Sequence, residues 1–127
     1  MPEQILAISR EKGVPEMEIV IGQAQYGKYV VYLWDPSGRN PQQVATGVNV
    51  DQIPDKFPVG ASVDALQQCL LSWEIIISAF ESGPGQLYSA TVIFTQRGEA
   101  VAGGRFDYQG ALEGVKYLGG LVRLAVQ

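Results

Sequence analysis

Apolar residues recur along this chain in two rhythms, and the slower one dominates the middle. Within residues 62–84, SVDALQQCLLSWEIIISAFESGP, they fall at Val63, Leu66, Leu70, Trp73, Ile77 and Phe80. That three-and-four spacing lays side chains along one stripe of a helix. Leu71, Ile75, Ile76 and Ala79 widen the stripe until little of its second half could face water. The spacing predicts a central helix, covered on most sides. Ser62 or Asp64 would start it, Asp64 with Gln67 having capping-box spacing, and Gly83 followed by Pro84 would end it. The stretch from Glu74 to Phe80 is also rich in β-branched Ile, so a short helix followed by a strand competes for the same residues. Pairing of Ile75 to Ile77 within a sheet would overturn the helix.

Before this stretch the rhythm shortens to two. Residues 2–12 read as a short helix, with Pro2 and Glu3 in the first turn, Arg10 and Lys12 in the last, and Gly13 as a stop. Residues 17–24 then alternate, with Met17, Ile19 and Ile21 on one side and Glu16, Glu18 and Val20 on the other. Residues 28–34, KYVVYLW, have the aromatic and β-branched composition of a covered strand. Residues 35–41, DPSGRNP, are a loop signal, and 42–50 a further strand with a bulge expected at Gly47. Residues 51–60 carry Pro54 and Pro58 and read as an extended loop in which Ile53 and Phe57 plug the core edge.

After the helix, residues 86–95 and 100–108 form a hairpin around Gln96-Arg97-Gly98-Glu99, and Gly103-Gly104 marks a bulge or a close approach of backbone. Residues 109–126 have helix-spaced apolar positions broken by Gly114, Gly119 and Gly120. They fit either a helix or a helix to Leu118 followed by a strand over 121–126. The element order is α-β-β-β-α-β-β followed by α or β. It predicts one α+β domain over residues 1–127, a single mostly antiparallel sheet packed on the central helix.

Composition changes this picture mainly by exclusion. A chain of 127 residues with 46% hydrophobic and 17% charged content can bury a core without disulfides or metal. No apolar run approaches the roughly 18–20 residues that span a bilayer, and the N-terminus lacks the pattern of a secretory signal. The single Cys69 reads as a buried small hydrophobe, and the lack of disulfides fits a reducing cytoplasm. The net charge of −4 comes without any basic run that could track phosphates, so direct nucleic-acid binding is not expected. With no histidine, Ser-His-Asp and Cys-His catalysis and His-ligated zinc are excluded. No phosphate-binding, dinucleotide-binding, CxxC or calcium-loop motif is present. A non-enzymatic protein without cofactor or metal is the expectation.

The element order is similar to that of the YezG-type immunity proteins, small bacterial proteins that neutralise secreted toxins. The resemblance runs through the short N-terminal helix, EIVIGQAQYGKYVVYLW, DQIPDKF, the helix carrying Leu66, Leu70 and Phe80, and the hairpin VIFTQRGEAVAGGRFDY, over roughly residues 3–108. It implies a cytoplasmic, non-enzymatic binder of a toxin domain such as a nuclease, and it transfers no particular contact residues.

Three functions follow for comparison. A protein-binding domain would use aromatic and charged anchors, for which Trp34, Asp35, Arg39, Asp51, Asp55, Asp107 and Tyr108 are the candidates. Its partner could be a basic toxin domain, drawn by complementary charge. A small-molecule binder would have a pocket between sheet and central helix, lined by Tyr29, Tyr32, Trp73, Glu74 and Phe94. A carboxylate enzyme would have to bring Glu74 to Asp107. A homo-oligomer is compatible with apolar residues on an unpaired edge.

Overall fold

The structure, a computed structural model, describes residues 4–50, 53–79 and 83–127. Nine strands account for most of them: β1 (Gln4–Ile8), β2 (Glu16–Gly22), β3 (Tyr26–Trp34), β4 (Gln42–Asn49), β5 (Asp55–Pro58), β6 (Leu70–Ser78), β7 (Leu87–Gln96), β8 (Glu99–Ala111) and β9 (Val115–Val126). Among the described residues the only helical segments are two 3-10 turns, Arg10–Lys12 and Asp64–Leu66. None of the described helices is long and apolar enough to cross a membrane.

The α+β expectation is therefore wrong, and its central helix is the main error. Residues 62–84 contain one 3-10 turn, a left-handed Gln68, and then β6, which is hydrogen-bonded on both sides, to β3 and to β9. Leu71, Trp73, Ile75 and Ile77 are buried, while Ser72, Glu74 and Ile76 face outward. Period two thus wins over the helical spacing. Three consecutive β-branched residues lose side-chain freedom in a helix and fit a pleated surface. The inward row Leu71, Trp73, Ile75 and Ile77 is apolar at period two, but Leu66, Leu70, Trp73 and Ile77 also fall at three-and-four spacing and the outward Ile76 widens that stripe, so the same residues fit a helix as well.

Two sheets form instead of one. The first has the order β1-β9-β6-β3-β4 and the second β5-β2-β7-β8. All neighbours are antiparallel except β1 with β9. The expected N-terminal helix is β1 followed by a 3-10 turn, with Gly13 left-handed behind it; Pro2 and Glu3 lie outside the described residues. The C-terminal segment is strand throughout Val115–Val126. The proline-rich bridge contains the short strand β5. The bulge expected at Gly47 lies instead opposite Val31 and Tyr32, where the register skips Val44. Gly47 serves another purpose: a Cβ there would stand 2.8 Å from the Tyr29 hydroxyl. The Gly103-Gly104 irregularity is present, with β8 slipping register opposite Phe94.

The sheets pack face to face on one core. Met17, Ile19 and Ile21 of β2 point inward as their alternation predicts, and join Leu71, Trp73, Ile75, Ile77, Val92, Phe94, Val122 and Leu124. Burying each large side chain contributes roughly 1.5–3 kcal/mol. At the centre, the Trp73 ring lies 5.0 Å from Phe106 and 5.8 Å from Phe94. Its cross-strand neighbour is Gly120, where a Cβ would fall 2.0 Å from the indole, so only glycine leaves room for the ring. Three buried amides close the periphery. Asn49 accepts from the Ile21 N–H and donates to the Ile53 carbonyl, Gln96 bridges Ser9 and Gly13, and Gln25 donates to Gln86 and the Leu87 carbonyl.

Candidate protein interface

Each sheet turns one face to the core and one to solvent, and the two outward faces differ in chemistry. On the five-stranded sheet the outward positions of β9 are Val115, Tyr117, Gly119 and Leu121, those of β6 Ser72, Glu74 and Ile76, and those of β3 Lys28, Val30, Tyr32 and Trp34. Ile5 on β1 and Val48 on β4 stand on the same side. Ile5, Val48, Ile76, Val115, Tyr117 and Leu121 are all exposed large hydrophobes, with Tyr117 the most open at 72%. They share this face with Ser72, Glu74, Lys28 and Thr46, and exposed apolar side chains grouped on one face are the kind of surface that marks an interaction site.

One end of this face is shaped by the loop between β3 and β4. Asp35 organises that loop: its carboxylate accepts from the Ser37 and Arg39 N–H groups at 3.0 and 2.9 Å, from the Ser37 hydroxyl and from the Asn40 amide. These bonds, led by the Ser37 hydroxyl, lower its pKa to about 2. Arg123 of β9 donates to the Pro36 and Gln68 carbonyls and ties the loop to the sheet. Trp34 donates to the Ser72 hydroxyl at 2.8 Å and lies 6.2 Å from the Tyr32 ring. Beside the loop runs a cleft of about 360 Å³, lined by Leu33, Trp34, Asp35, Asn40, Leu66 and Cys69 among others. Burial pushes the Cys69 thiol pKa up, and the thiol donates to the Ala65 carbonyl at 3.4 Å, so it is held as the weakly nucleophilic protonated form.

The partner-binding candidates do not gather into one patch. Trp34, Asp35 and Arg39 are neighbours at the end of β3, but Asp35 is consumed by its own loop. Asp55 begins β5 and accepts from the Tyr29 hydroxyl at 2.8 Å. Asp107 lies on the outer face of the other sheet, bonded to Arg105 and Thr91. Tyr108 turns inward, its hydroxyl accepting from the Trp73 indole N–H at 3.3 Å. Asp51 lies outside the described residues.

The pocket candidates are divided between the core and the outer face of the five-stranded sheet. Trp73 and Phe94 are fully buried in the core. Tyr29 is also buried, its pKa driven up by desolvation and then by its bond and proximity to Asp55. Tyr32 and Glu74 face outward. With no central helix, the pocket expected beneath it does not exist. Glu74 and Asp107 project from opposite outer faces of the sandwich, so the carboxylate pair is not formed. Among the described residues no group of three or more Cys, Asp or Glu side chains could hold a metal ion.

The residues that make the apolar face were missed because β6 and β9 were read at helical spacing. A period-two reading of LLSWEIIIS puts Leu71, Trp73, Ile75 and Ile77 on one face and Ser72, Glu74, Ile76 and Ser78 on the other, and that alternation is the signal for a half-covered strand with Ile76 turned outward. No family model matches this chain, and no curated protein or solved structure is similar to it.

Proposed function

We propose that this domain is a non-enzymatic protein-binding module that uses the outer face of its five-stranded sheet. The observation that carries the reading is the set of exposed Ile5, Leu121, Tyr117, Ile76 and Val48, carried on one face by four of the five paired strands. Recognition of this kind needs an exposed complementary surface and places no reacting groups together. The free Cys69 supports a place in a reducing cytoplasm. Toxin neutralisation, implied by the family resemblance, is one form such binding takes. That resemblance ran partly through the helix at 62–84, so it narrows the partner no further. A small molecule could enter the cleft beside Trp34, where the Asp35 carboxylate is already satisfied by the loop, or one of about 390 Å³ lined by Ile8, Lys12, Gln96 and Glu99 among others, where Lys12 and Glu99 pair with each other. Neither presents an unpaired charged side chain, which favours the protein-binding reading.

Co-purification from the native host tests this. Tagged wild-type chain and the Asp107→Asn variant, altered on the opposite face, are expected to retain the same protein partner. The Tyr117→Glu/Leu121→Glu variant is expected to lose it while keeping its circular dichroism spectrum. Equal retention by all three would refute the assignment of the face.

A further inference from the structure

Two charges of opposite sign interrupt the apolar outer face. Lys28 on β3 pairs in register with Ile76 on β6, and Val30 pairs with Glu74. Lys28 and Glu74, both exposed, thus occupy opposite corners of a four-residue patch whose other corners are apolar. Such diagonal neighbours are roughly 7–8 Å apart. Neither forms an ion pair among the described residues.

A patch of this design is complementary to itself. Within the protein-binding reading, on which this step rests, we propose that the partner is a second copy of this chain, docked face to face through the five-stranded sheets. In an isologous contact, residue i of one copy meets residue j of the other, and j meets i. A two-fold axis that crosses the Lys28–Glu74 diagonal at right angles puts Lys28 of each copy over Glu74 of the other. On a regular sheet lattice that axis runs within about 1.5 Å of Ile76 and Val30, so each apolar side chain lies close to its own counterpart. Tyr117, the neighbour of Ile76 on β9, is about as near to the axis on its other side.

Sheet geometry agrees with this register. With strands about 4.8 Å apart and residues two apart along a strand separated by about 6.7 Å, the symmetry makes strands of the two copies cross at about 70°. That belongs with the orthogonal class of sheet packing, one of the two stable arrangements. Five strands, with β6 nine residues long, give a face of about 19 by 30 Å. Crossed at about 70°, two such faces overlap over about 19 by 20 Å, roughly 400 Å² per copy, the size of a weak, reversible interface. The charges select the register, because a charge buried without a partner is strongly unfavourable while a crossed pair is satisfied twice. An unrelated partner would have to present an opposite charge to each side chain at the same spacing, whereas a second copy does so by symmetry.

Sedimentation velocity on the full chain over a range of concentrations tests the proposal, with Lys28→Glu and Glu74→Lys as the variants. Wild type is expected to dimerise. Each variant alone faces like charges across the axis twice and is expected to associate about a hundredfold more weakly, with an unchanged thermal melt. An equimolar mixture of the two variants is expected to recover dimers, because in the mixed pair both cross-axis contacts again join opposite charges. A dimer untouched by either variant, or no recovery on mixing, overturns the docking register. A wild-type chain that stays monomeric at every concentration overturns the second copy. In that case loss of another partner by Tyr117→Glu/Leu121→Glu would leave the protein-binding reading standing, and retention would remove both.

Discussion

The outer faces of the two sheets have nearly the same backbone and almost opposite chemistry. On the four-stranded sheet, Lys56, Glu18, Ile93 and Arg105 lie in register across β5, β2, β7 and β8, with Thr91 and Asp107 in the next row. Lys56 pairs with Glu18 at 3.2 Å and Arg105 with Asp107 at 2.9 Å. Four of its charged side chains pair with one another within the chain, and Glu16 at the end of β2 is the exception among the described residues. On the five-stranded sheet, Ile76, Tyr117, Leu121 and Val48 are open, and Lys28 and Glu74 have no ion-pair partner among the described residues. One face is finished as a surface exposed to water. The other has the composition of an interface, and the difference locates function where strand geometry cannot.

The comparison depends on a rigid layer beneath both faces, and disturbing that layer has the largest expected effect. Gly120→Ala places a methyl group against the Trp73 indole, which must move away from Phe106 and Tyr108. The expected loss is about 1–3 kcal/mol in urea denaturation, as overpacked cores show. An unchanged midpoint would mean that the indole has space to shift and the two faces are not held rigidly.

A smaller effect is expected on the polar face. Glu18 is largely covered and Lys56 is more than half exposed, so Glu18→Gln is expected to destabilise by less than about 1 kcal/mol. The difference from wild type should shrink in high salt, because the pair is partly screened. Ile76→Thr on the apolar face provides the contrast: little change in the stability of the monomer, with no dependence on salt.

The smallest effect lies in acid. Asp35, held at about 2 by its loop, and Asp107, lowered by Arg105 and then by Thr91, both ionise below the ordinary carboxylate value of 3.8. A folded-state pKa below the unfolded one stabilises the fold above the unfolded value, and this contribution fades as pH falls through the folded one. Asp35→Asn is expected to flatten the stability curve between about pH 4 and pH 2 and to leave its slope unchanged near neutrality. An equally steep acid limb in the variant would show that the loop carries none of the dependence.

What was legible beforehand was local. The alternation of Met17, Ile19 and Ile21, the DPSGRNP loop, the hairpin at Arg97-Gly98 and the irregularity at Gly103-Gly104 all stand in the structure where their residue types placed them. Burial of Cys69 does too. Each rests on a short-range cause: a pleat, a turn, a left-handed glycine. The candidate site was hardly legible. Trp34 borders it, but Asp107, Tyr108 and Asp55 are engaged elsewhere. Ile76, Tyr117 and Leu121 fall in segments left open between helix and strand, where their exposure could not be inferred.

The order of residues alone therefore settled the alternation of β2, the strands β3 and β4 with the loop between them, and that catalysis by histidine is impossible, while it misread β1 as a helix and β5 as loop and misplaced the bulge in β4. It left undecided whether LLSWEIIIS and VKYLGGLVRLAV would coil or extend, because the apolar positions of each fit helical spacing as well as alternation. Only the tertiary structure resolved this. In the sheet, β6 gains hydrogen-bonded neighbours on both edges and Gly120 opens the space that Trp73 fills. Neither advantage exists until segments about fifty residues apart in the chain have met.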